Sequence, residues 1–251
     1  MNQGILAAKT PYVVLLNNDT VVDPSFLAEL ERVLDHDKKV FSASAQMLDL
    51  KHPELLDDAG DYYCALGWAY GAGKGKPAVQ YQKNTKIFAS CGGAAIYRRA
   101  VFEEIGYFDE NHFAYLEDID IGYRARIYGY QNIYAAKAKV LHAGSAASGS
   151  RYNAFKTKLS SKNSIYLIYK NMPVLQILLN LPFLMAGFFI KTLFFMKKGY
   201  GKLYLQGLFK GIRFSASKEG RKHKVPFRWK HLGSYCLIEL ELLCNIVRRF
   251  V

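Results

Sequence analysis

An acidic tip follows the first apolar run of this chain. Residues 12–16 are all aliphatic or aromatic, and Asn17, Asn18 and Asp19 come directly after them. A run without polar alternation is typical of a parallel strand that is buried on both faces, and ligands bind outside the carboxyl ends of such strands. We therefore expect Asp19 to handle a metal ion or a phosphate. The alternative is an ordinary turn, since Asn and Asp are common turn formers.

A second acidic group, Glu117, Asp118 and Asp120, lies in the first turn of a predicted helix. A carboxylate within hydrogen-bond reach of a substrate hydroxyl can act as a general base. The alternative is helix capping, because negative charge is favourable at a helix N-terminus. An aromatic-rich segment that contains His112 precedes this group, and that context favours metal or proton chemistry.

His142 is the third candidate, and it ends the last predicted strand of the domain. Asp19 and His142 together would suit a divalent ion, since carboxylates bind Mg²⁺ or Mn²⁺ and an imidazole shifts the preference towards Mn²⁺. A lone histidine at a strand end is more often only hydrogen-bonded. Metal binding by His142 therefore requires a fold that brings it to Asp19.

Strands and helices alternate along the first 150 residues, as in α/β folds. Residues 23–25 begin an amphipathic helix that ends near residue 36. Residues 51–88 lack a strong period and are predicted to form a long irregular segment with a functional role. Gly92 and Gly93 either let a ligand approach the backbone closely or mark a bulge. The further predicted elements are strands at 40–48, 87–97 and 131–142, and helices at 98–105 and 117–128.

Charge is unevenly distributed along the chain. Positions 1–150 hold 15 basic and 18 acidic residues, whereas positions 151–251 hold 19 basic and 3 acidic residues. This asymmetry indicates an anionic partner for the second part, either nucleic acid or the cytoplasmic face of a membrane. The four cysteines form no C-x-x-C pair or zinc set, and no secretory signal follows Met1. We therefore expect reduced thiols and a main domain inside the cell.

Residues 172–196 are almost wholly apolar and are flanked by lysines. Their number matches the roughly 20 residues that cross a bilayer. Pro182 and three interrupting polar residues favour instead a kinked hairpin or a pair of interfacial helices. The basic run at 218–230 favours an anionic membrane surface in either arrangement.

Several short motifs, taken in their order along the chain, resemble those of family 2 glycosyltransferases. The branch they resemble most is the bacterial rhamnosyltransferase-like group that builds cell-surface polysaccharides, and the match runs from about residue 2 to Pro173. The residues that carry the resemblance are Asn2, Gly4, Ile5, Leu16 to Thr20, Cys91 to Ala94, Phe108 to Glu110, Tyr115 to Asp120, Arg124, Gly129, Tyr130, His142, Lys162, Asn163 and Lys170 to Pro173.

The resemblance implies a GT-A fold, a nucleotide-diphosphate sugar donor, a divalent cation and an inverting displacement. Asn17-Asn18-Asp19 stands where the family has its D-x-D motif, so Asp19 would bind the cation, with His142 as a second ligand. Asn17 replaces the first aspartate of that motif, which leaves a less anionic site. Asp118 matches the catalytic base of the family.

The same resemblance implies supporting roles for other residues. Glu117 and Asp120 would position the acceptor or its loop. Asn17, Asn18, Gly92 and Gly93 would lie against the donor. Basic residues after the last strand, such as Arg151, Lys156 or Lys158, would close over the diphosphate as a lid.

Relatives place the strands that hold the nucleoside before the Asn2 motif. The expected architecture is therefore α/β, with an N-terminally truncated GT-A domain (a Rossmann-like mixed sheet) at residues 1–165 and a helical, membrane-associating tail at 166–251. We expect the first strand to expose an apolar edge, and the isolated chain to bind nucleotide sugar weakly.

The expected function is transfer of a sugar, with rhamnose as one candidate, to a cell-surface polysaccharide or a lipid-linked acceptor at the cytoplasmic face of the membrane. The main alternative is an inactive remnant or a membrane-bound scaffold. A nucleic-acid partner is not expected, because residues 172–196 are too apolar to face a groove. Another metal-dependent phosphoryl or nucleotidyl transfer is disfavoured, because no Walker-type glycine loop is present.

Overall fold

The computed structural model describes residues 1–144 and 152–250. The chain divides into two compact units. The predicted domain boundary at residues 165 and 166 stays a prediction, and it falls inside one continuous helix. Arg151 of the predicted lid lies outside the described residues. Unit 1 comprises Met1–Tyr62, Tyr70–Phe108 and Ile121–Gly149, and unit 2 comprises Tyr63–Ala69, Asp109–Asp120 and Ser150–Val251.

Nine strands are found in the part of the chain that the structure describes. They are β1 (Tyr12–Leu16), β2 (Thr20–Val22), β3 (Val40–Asp49), β4 (Leu56–Asp58), β5 (Asp61–Cys64), β6 (Trp68–Gly71), β7 (Thr85–Ile87), β8 (Ala94–Arg98) and β9 (Gln131–His142). Seven of them form a mixed sheet in the order β1-β8-β3-β9-β2, with β4 beside β3 and β7 beside β9, while β5 pairs with β6. The long central strands β3 and β9 run parallel, and the outer strands are antiparallel to their neighbours.

The predictions for β3 and β9 are confirmed, and two others need correction. Residues 51–88 are not one irregular segment, since they contain four short strands, β4 to β7. Residues 87–97 do not form a single strand, because β7 ends at Ile87 and β8 begins at Ala94. Strands of three or four residues are too short to give a periodic pattern, which is why the sequence did not indicate them.

Helices cover both faces of the sheet in unit 1. Helix α2 (Phe26–His36) buries Phe26, Leu30 and Leu34, which are spaced four residues apart and therefore share one face. These side chains pack on the face that carries Ala94 and Ile96 of β8. The helix is preceded by Asp23, whose carboxylate accepts hydrogen bonds from the backbone N–H and hydroxyl of Ser25.

The opposite face is covered by α1 (Asn2–Ala7), α3 (Arg99–Ile105) and part of α4 (Glu117–Ile127). Arg124 is buried and donates hydrogen bonds to the carbonyls of Ile105, Gly106 and Tyr107 at 2.6, 2.9 and 2.9 Å. It thereby satisfies carbonyls that the end of α3 leaves without helical partners. Arg124 is one of the residues that carry the family resemblance, and its role in the structure is to support the backbone of residues 105–107.

Strand β1 differs from the prediction. Within the part of the chain that the structure describes, it lies at the end of the strand order and pairs antiparallel with β8 alone, and Val14 and Leu16 are 36% and 44% exposed. The expectation of a parallel strand buried on both faces is wrong, and the expectation of an exposed apolar edge is confirmed among the described residues. An apolar run shows that a strand has hydrophobic side chains, but it does not show how many strands lie beside it, which is why the prediction for β1 failed.

Unit 2 is mainly helical. Its long helices are α5 (Ala154–Asn171), α6 (Val174–Lys197), α7 (Gly201–Ala216) and α9 (Leu232–Arg248), with the short α8 (Lys218–Lys222) between the last two. Helix α7 approaches α5 closely at Gly207 and Gly211, where a Cβ atom would stand 1.8 Å from the Ser161 hydroxyl and 2.6 Å from the Lys162 carbonyl. Glycine is therefore required at both positions for this contact.

Helix α6 is one continuous helix of 24 residues with Pro182 inside it, so the predicted hairpin is wrong. Two of the polar residues that suggested a break, Gln176 and Asn180, instead donate hydrogen bonds to Glu239 of α9 at 2.8 to 2.9 Å. By length and composition α6 could cross a membrane, with a mean hydropathy of 1.8. At about 1.5 Å per residue it exceeds the roughly 30 Å hydrocarbon layer.

Candidate active site

The pairing of β2 with β9 brings the two predicted cation ligands together in unit 1. Asp19 lies in the turn between β1 and β2, and the next residue, Thr20, stands opposite His142. The backbone carbonyl of Asp19 also accepts a hydrogen bond of 3.0 Å from the Ala143 N–H. As a result, Oδ1 of Asp19 lies 3.4 Å from Nε2 of His142.

Asp57 completes this group, although no motif in the sequence indicates it. Its Oδ2 atom lies 2.7 Å from Nδ1 of His142, and its other oxygen pairs with Lys74. Burial alone would raise the pKa of Asp57, but the hydrogen bonds from Lys74 and His142 outweigh burial and hold that pKa below its usual value. Asp57 is therefore an ionised acceptor, which favours the imidazole tautomer that carries its proton on Nδ1.

This donor set fits a small divalent cation. With the proton on Nδ1, Nε2 of His142 carries a lone pair. Nε2 and Oδ1 of Asp19 are then two acceptor atoms, 3.4 Å apart, that could bind the same cation. Neighbouring ligands of an octahedral Mg²⁺ or Mn²⁺ ion stand about 3 Å apart, because each bond is about 2.1 Å long. A carboxylate that orients a ligating imidazole through its other nitrogen is a common feature of metal sites.

The predicted donor-binding residues also meet in unit 1. The N–H of Asn17 donates a hydrogen bond of 2.9 Å to the carbonyl of Gly93. A Cβ atom on Gly93 would lie 3.2 Å from Nδ2 of Asn17, a tight contact. Gly92 and Gly93 come just before β8, so they do not form a bulge within a strand, and Asn17 and Asn18 are exposed. Their contact with a donor stays a prediction.

The second acidic group lies where α4 begins, in unit 2. Glu117 and Asp118 are both half-buried residues of the first helical turn. Burial raises the pKa of Glu117, and the nearby Asp120 carboxylate raises it further. The residues just before the helix, Tyr115 and Leu116, have positive φ angles of 68° and 71°, which non-glycine residues seldom adopt.

Asp120 lies in the interior and does not face solvent. It is fully buried and accepts hydrogen bonds from Lys170 at 2.9 Å and Asn171 at 2.8 Å. Asp120 was expected to position the acceptor or its loop, and its burial leaves no surface for direct contact with an acceptor. The position of Asp120 suits the other role, which is to hold the loop.

His112 is also buried, which corrects its assignment to metal or proton chemistry. Its side chain is inaccessible, and burial lowers its pKa to about 4, so the imidazole is neutral near pH 7. Nε2 of His112 lies 3.9 Å from Asp120. The charge on Asp120 is therefore compensated by Lys170 and not by His112.

Comparisons with known proteins place this chain in a class. It is similar to the crystal structure of GalNAc-T7 with UDP, GalNAc and Mn²⁺, with a TM-score of 0.52 and 14% sequence identity over 67% of this chain and 33% of that one. The chain thus has a GT-A glycosyltransferase fold, as the family resemblance implies. At this identity the likeness concerns the fold alone.

The chain belongs to the glycosyltransferase like family 2, whose model matches residues 1–160. Two curated relatives are N-acetylglucosaminyl-diphospho-decaprenol L-rhamnosyltransferases of Mycobacterium tuberculosis, from strains CDC 1551 / Oshkosh and ATCC 25618 / H37Rv. Each is 29% identical over 112 residues, which are 44% of this chain and 35% of the relative. The matched part thus spans about a third of the curated relatives.

Proposed function

We propose that this chain is an inverting glycosyltransferase that moves a sugar from a nucleotide-diphosphate donor to a cell-surface polysaccharide or lipid-linked acceptor. The observation that carries the proposal is the approach of Asp19 to His142, because it brings two possible cation ligands from segments far apart in sequence within 3.4 Å of each other in a chain of family 2. The curated relatives are rhamnosyltransferases named for a lipid-linked substrate. That likeness supports rhamnose as the sugar and a lipid diphosphate as the acceptor.

Different residues serve the two needs of this reaction, which are removal of the acceptor proton and stabilisation of the departing diphosphate. Asp118 accepts the proton of the acceptor hydroxyl while the hydroxyl oxygen attacks the anomeric carbon. The bond from that carbon to the donor diphosphate breaks in the same step, and the diphosphate leaves with the bonding electrons. Asp19 and His142 would hold a divalent cation, and a cation bound there would neutralise charge on the departing diphosphate.

The stereochemistry of the product tests this single displacement. We expect the full chain, given a panel of nucleotide-diphosphate sugars at millimolar concentration, to form a product whose anomeric configuration is opposite to that of the donor. Proton NMR of the product reports that configuration. Retention of configuration would contradict direct attack by the acceptor.

Asp57 is proposed to orient His142, and its removal should weaken cation binding. In Asp57→Asn the carboxylate that fixes the Nδ1 proton of His142 becomes a neutral amide, which accepts that hydrogen bond more weakly and can also present its NH2 group to the imidazole. A carboxylate partner of this kind is worth about 10- to 100-fold in metal affinity. We expect that loss in Mn²⁺ affinity, measured as free Mn²⁺ by electron paramagnetic resonance.

Asp49→Asn is the matched control for this measurement. Asp49 lies opposite His142 in the pairing of β3 with β9, but its carboxylate accepts hydrogen bonds from the N–H groups of Lys51 and His52. Asp49→Asn therefore removes the same charge as Asp57→Asn but leaves the hydrogen bonds of the His142 imidazole unchanged. Equal Mn²⁺ affinities in Asp57→Asn and Asp49→Asn would refute the orienting role.

Unit 2 is proposed to bind the anionic cytoplasmic surface of the membrane. Apolar side chains on α6 and α7 are strongly exposed, including Leu175 at 68% and Phe209 at 67%. Trp229 is 79% exposed and lies between Arg228 and Lys230. Such a combination of exposed aromatic, aliphatic and basic residues suits the headgroup region of an anionic bilayer.

Neutralising two of these basic residues should weaken the attachment. A basic residue near an anionic surface contributes about 1 kcal/mol, so Arg228→Gln with Lys230→Gln should lower partitioning into phosphatidylglycerol vesicles about 30-fold. Cosedimentation of the full chain with vesicles measures this effect. The control is Lys38→Gln with Lys39→Gln in unit 1. Equal partitioning into neutral vesicles, or preference for DNA, would overturn the proposed surface.

A membrane-bound scaffold without catalysis is the second candidate function. The exposed apolar faces of unit 2 favour it, since attachment alone would explain them. The scaffold and the enzyme differ in turnover, because a scaffold releases no nucleoside diphosphate from any donor.

A further inference from the structure

The segment that leads into α4 has an unusual backbone. Phe113, Tyr115 and Leu116 have φ angles of 60°, 68° and 71°, although each carries a large side chain. Side chains with a Cβ atom disfavour this region, so such angles persist only where neighbouring groups impose them. The segment ends directly before Glu117 and Asp118. Whatever imposes its conformation also determines where the acidic group begins.

One buried amide on α5 contacts this segment at three points. Nδ2 of Asn163 lies 2.8, 2.9 and 2.8 Å from the carbonyl oxygens of His112, Ala114 and Tyr115, so its two protons are shared among three acceptors. Asn163 is fully buried. Three carbonyl oxygens that converge on one point repel each other unless a donor lies between them, and buried carbonyls are costly to leave unpaired. The amide therefore compensates the cost of the unusual φ angles.

The two ends of the segment are fixed by the same helix. Lys170 pairs with Asp109 at 2.8 Å and with Asp120 at 2.9 Å. Tyr166 donates to Asp109 at 2.7 Å, and Asn171 donates to Asp120 at 2.8 Å. Residues 109 to 120 are thus held on α5 at both ends and in the middle, with Asp118 in the held part.

We propose that Asn163 is a positioning residue that sets the place of the general base Asp118 by holding residues 112–116 in a conformation in which Phe113, Tyr115 and Leu116 have positive φ angles. The assignment rests on the proposed function, since it takes Asp118 as the base. Asn163 is fully buried, and within the described residues its side-chain hydrogen bonds go to backbone carbonyls, so it acts through the loop and not on substrate.

Amide hydrogen exchange tests, without any substrate, whether Asn163 holds residues 112–116 in place. In the full chain, Asn163→Ala should speed exchange in residues 112–120 at least about tenfold, while α7 and the sheet keep their protection. Asn163→Ser, which retains one small donor, should lie between the parent and Asn163→Ala, and it serves as the milder variant if alanine prevents folding. Ser164→Ala is the control, because among the described residues the Ser164 hydroxyl bonds only to the Ser160 carbonyl of its own helix.

Kinetics test the link to Asp118. We expect Asn163→Ala to lower kcat at least about tenfold with the donor KM within about twofold, because the cation ligands Asp19 and His142 are untouched. Phe113→Gly in the Asn163→Ala background should restore part of kcat, since glycine adopts positive φ without a Cβ penalty. A purely structural role would change the amount of folded protein and leave kcat per folded molecule unchanged.

Two results would overturn the proposal. One is exchange in residues 112–120 that matches the Ser164→Ala control, and the other is a kcat equal to that of the control despite faster exchange. If the parent chain transfers no sugar, the proposed function fails, whereas the exchange comparison still decides whether Asn163 holds the loop.

Discussion

Asp118→Asn should reduce sugar transfer by about 10²- to 10⁴-fold, the usual contribution of a positioned general base. An amide has nearly the shape of the carboxylate but cannot accept the acceptor's proton at neutral pH. The start of α4 should remain folded, because Asp120 keeps its hydrogen bonds to Lys170 and Asn171. Initial rates of nucleoside diphosphate release at saturating donor and acceptor measure the loss.

The control for this substitution is Glu110→Gln. Glu110 is an exposed acid in the same segment, so the change removes equal charge without altering the first turn of α4. We expect its rate to lie within about threefold of the parent. Equal product from the parent and from Asp118→Asn would remove Asp118 as the base.

Asp19→Ala should abolish cation-dependent transfer. Asp19 supplies the anionic ligand of the proposed site, and Asn17, which replaces the first aspartate of the family's motif, carries no charge to compensate. Since a bound cation contributes several kcal/mol to a developing anion, its loss should slow transfer about 10³-fold or more. Mn²⁺ affinity should fall in parallel, which electron paramagnetic resonance measures without substrate.

Asp23→Ala separates this effect from a general loss of negative charge. The Asp23 carboxylate serves the turn before α2, where it accepts hydrogen bonds from Ser25. We expect it to leave Mn²⁺ affinity unchanged. Equal loss in Asp19→Ala and Asp23→Ala would show that Asp19 is not a ligand.

Much of the fold follows from local patterns in the sequence. The stripe of Phe26, Leu30 and Leu34 predicts α2, and the glycines at 106 and 129 mark where α3 and α4 end. These signals are local. The period of a helix, and the glycine with a positive φ angle that follows its end, each depend on a few adjacent residues. The approach of His142 to Asp19 was a conditional expectation, and the pairing of β2 with β9 fulfils it.

Long-range partners could not be predicted in the same way. Asp57 reaches His142 across 85 positions, from a strand of three residues that gives no periodic signal. Similarly, Gln176 and Asn180 suggested a break in α6, but their side-chain nitrogens donate hydrogen bonds to Glu239 of α9. A polar residue in an apolar run indicates that a partner is needed, and only the tertiary structure identifies it.

The most direct test of the central claim is metal-dependent sugar transfer by the full chain. Millimolar nucleotide-diphosphate sugars should be supplied with a lipid-linked acceptor in anionic vesicles, with Mn²⁺ present and again after chelation. We expect glycosylated acceptor and nucleoside diphosphate in equal amounts with Mn²⁺, restored activity when Mn²⁺ is returned after chelation, and little product from Asp118→Asn. The absence of product from every donor, or product that is unchanged after chelation and in Asp118→Asn, would contradict the account.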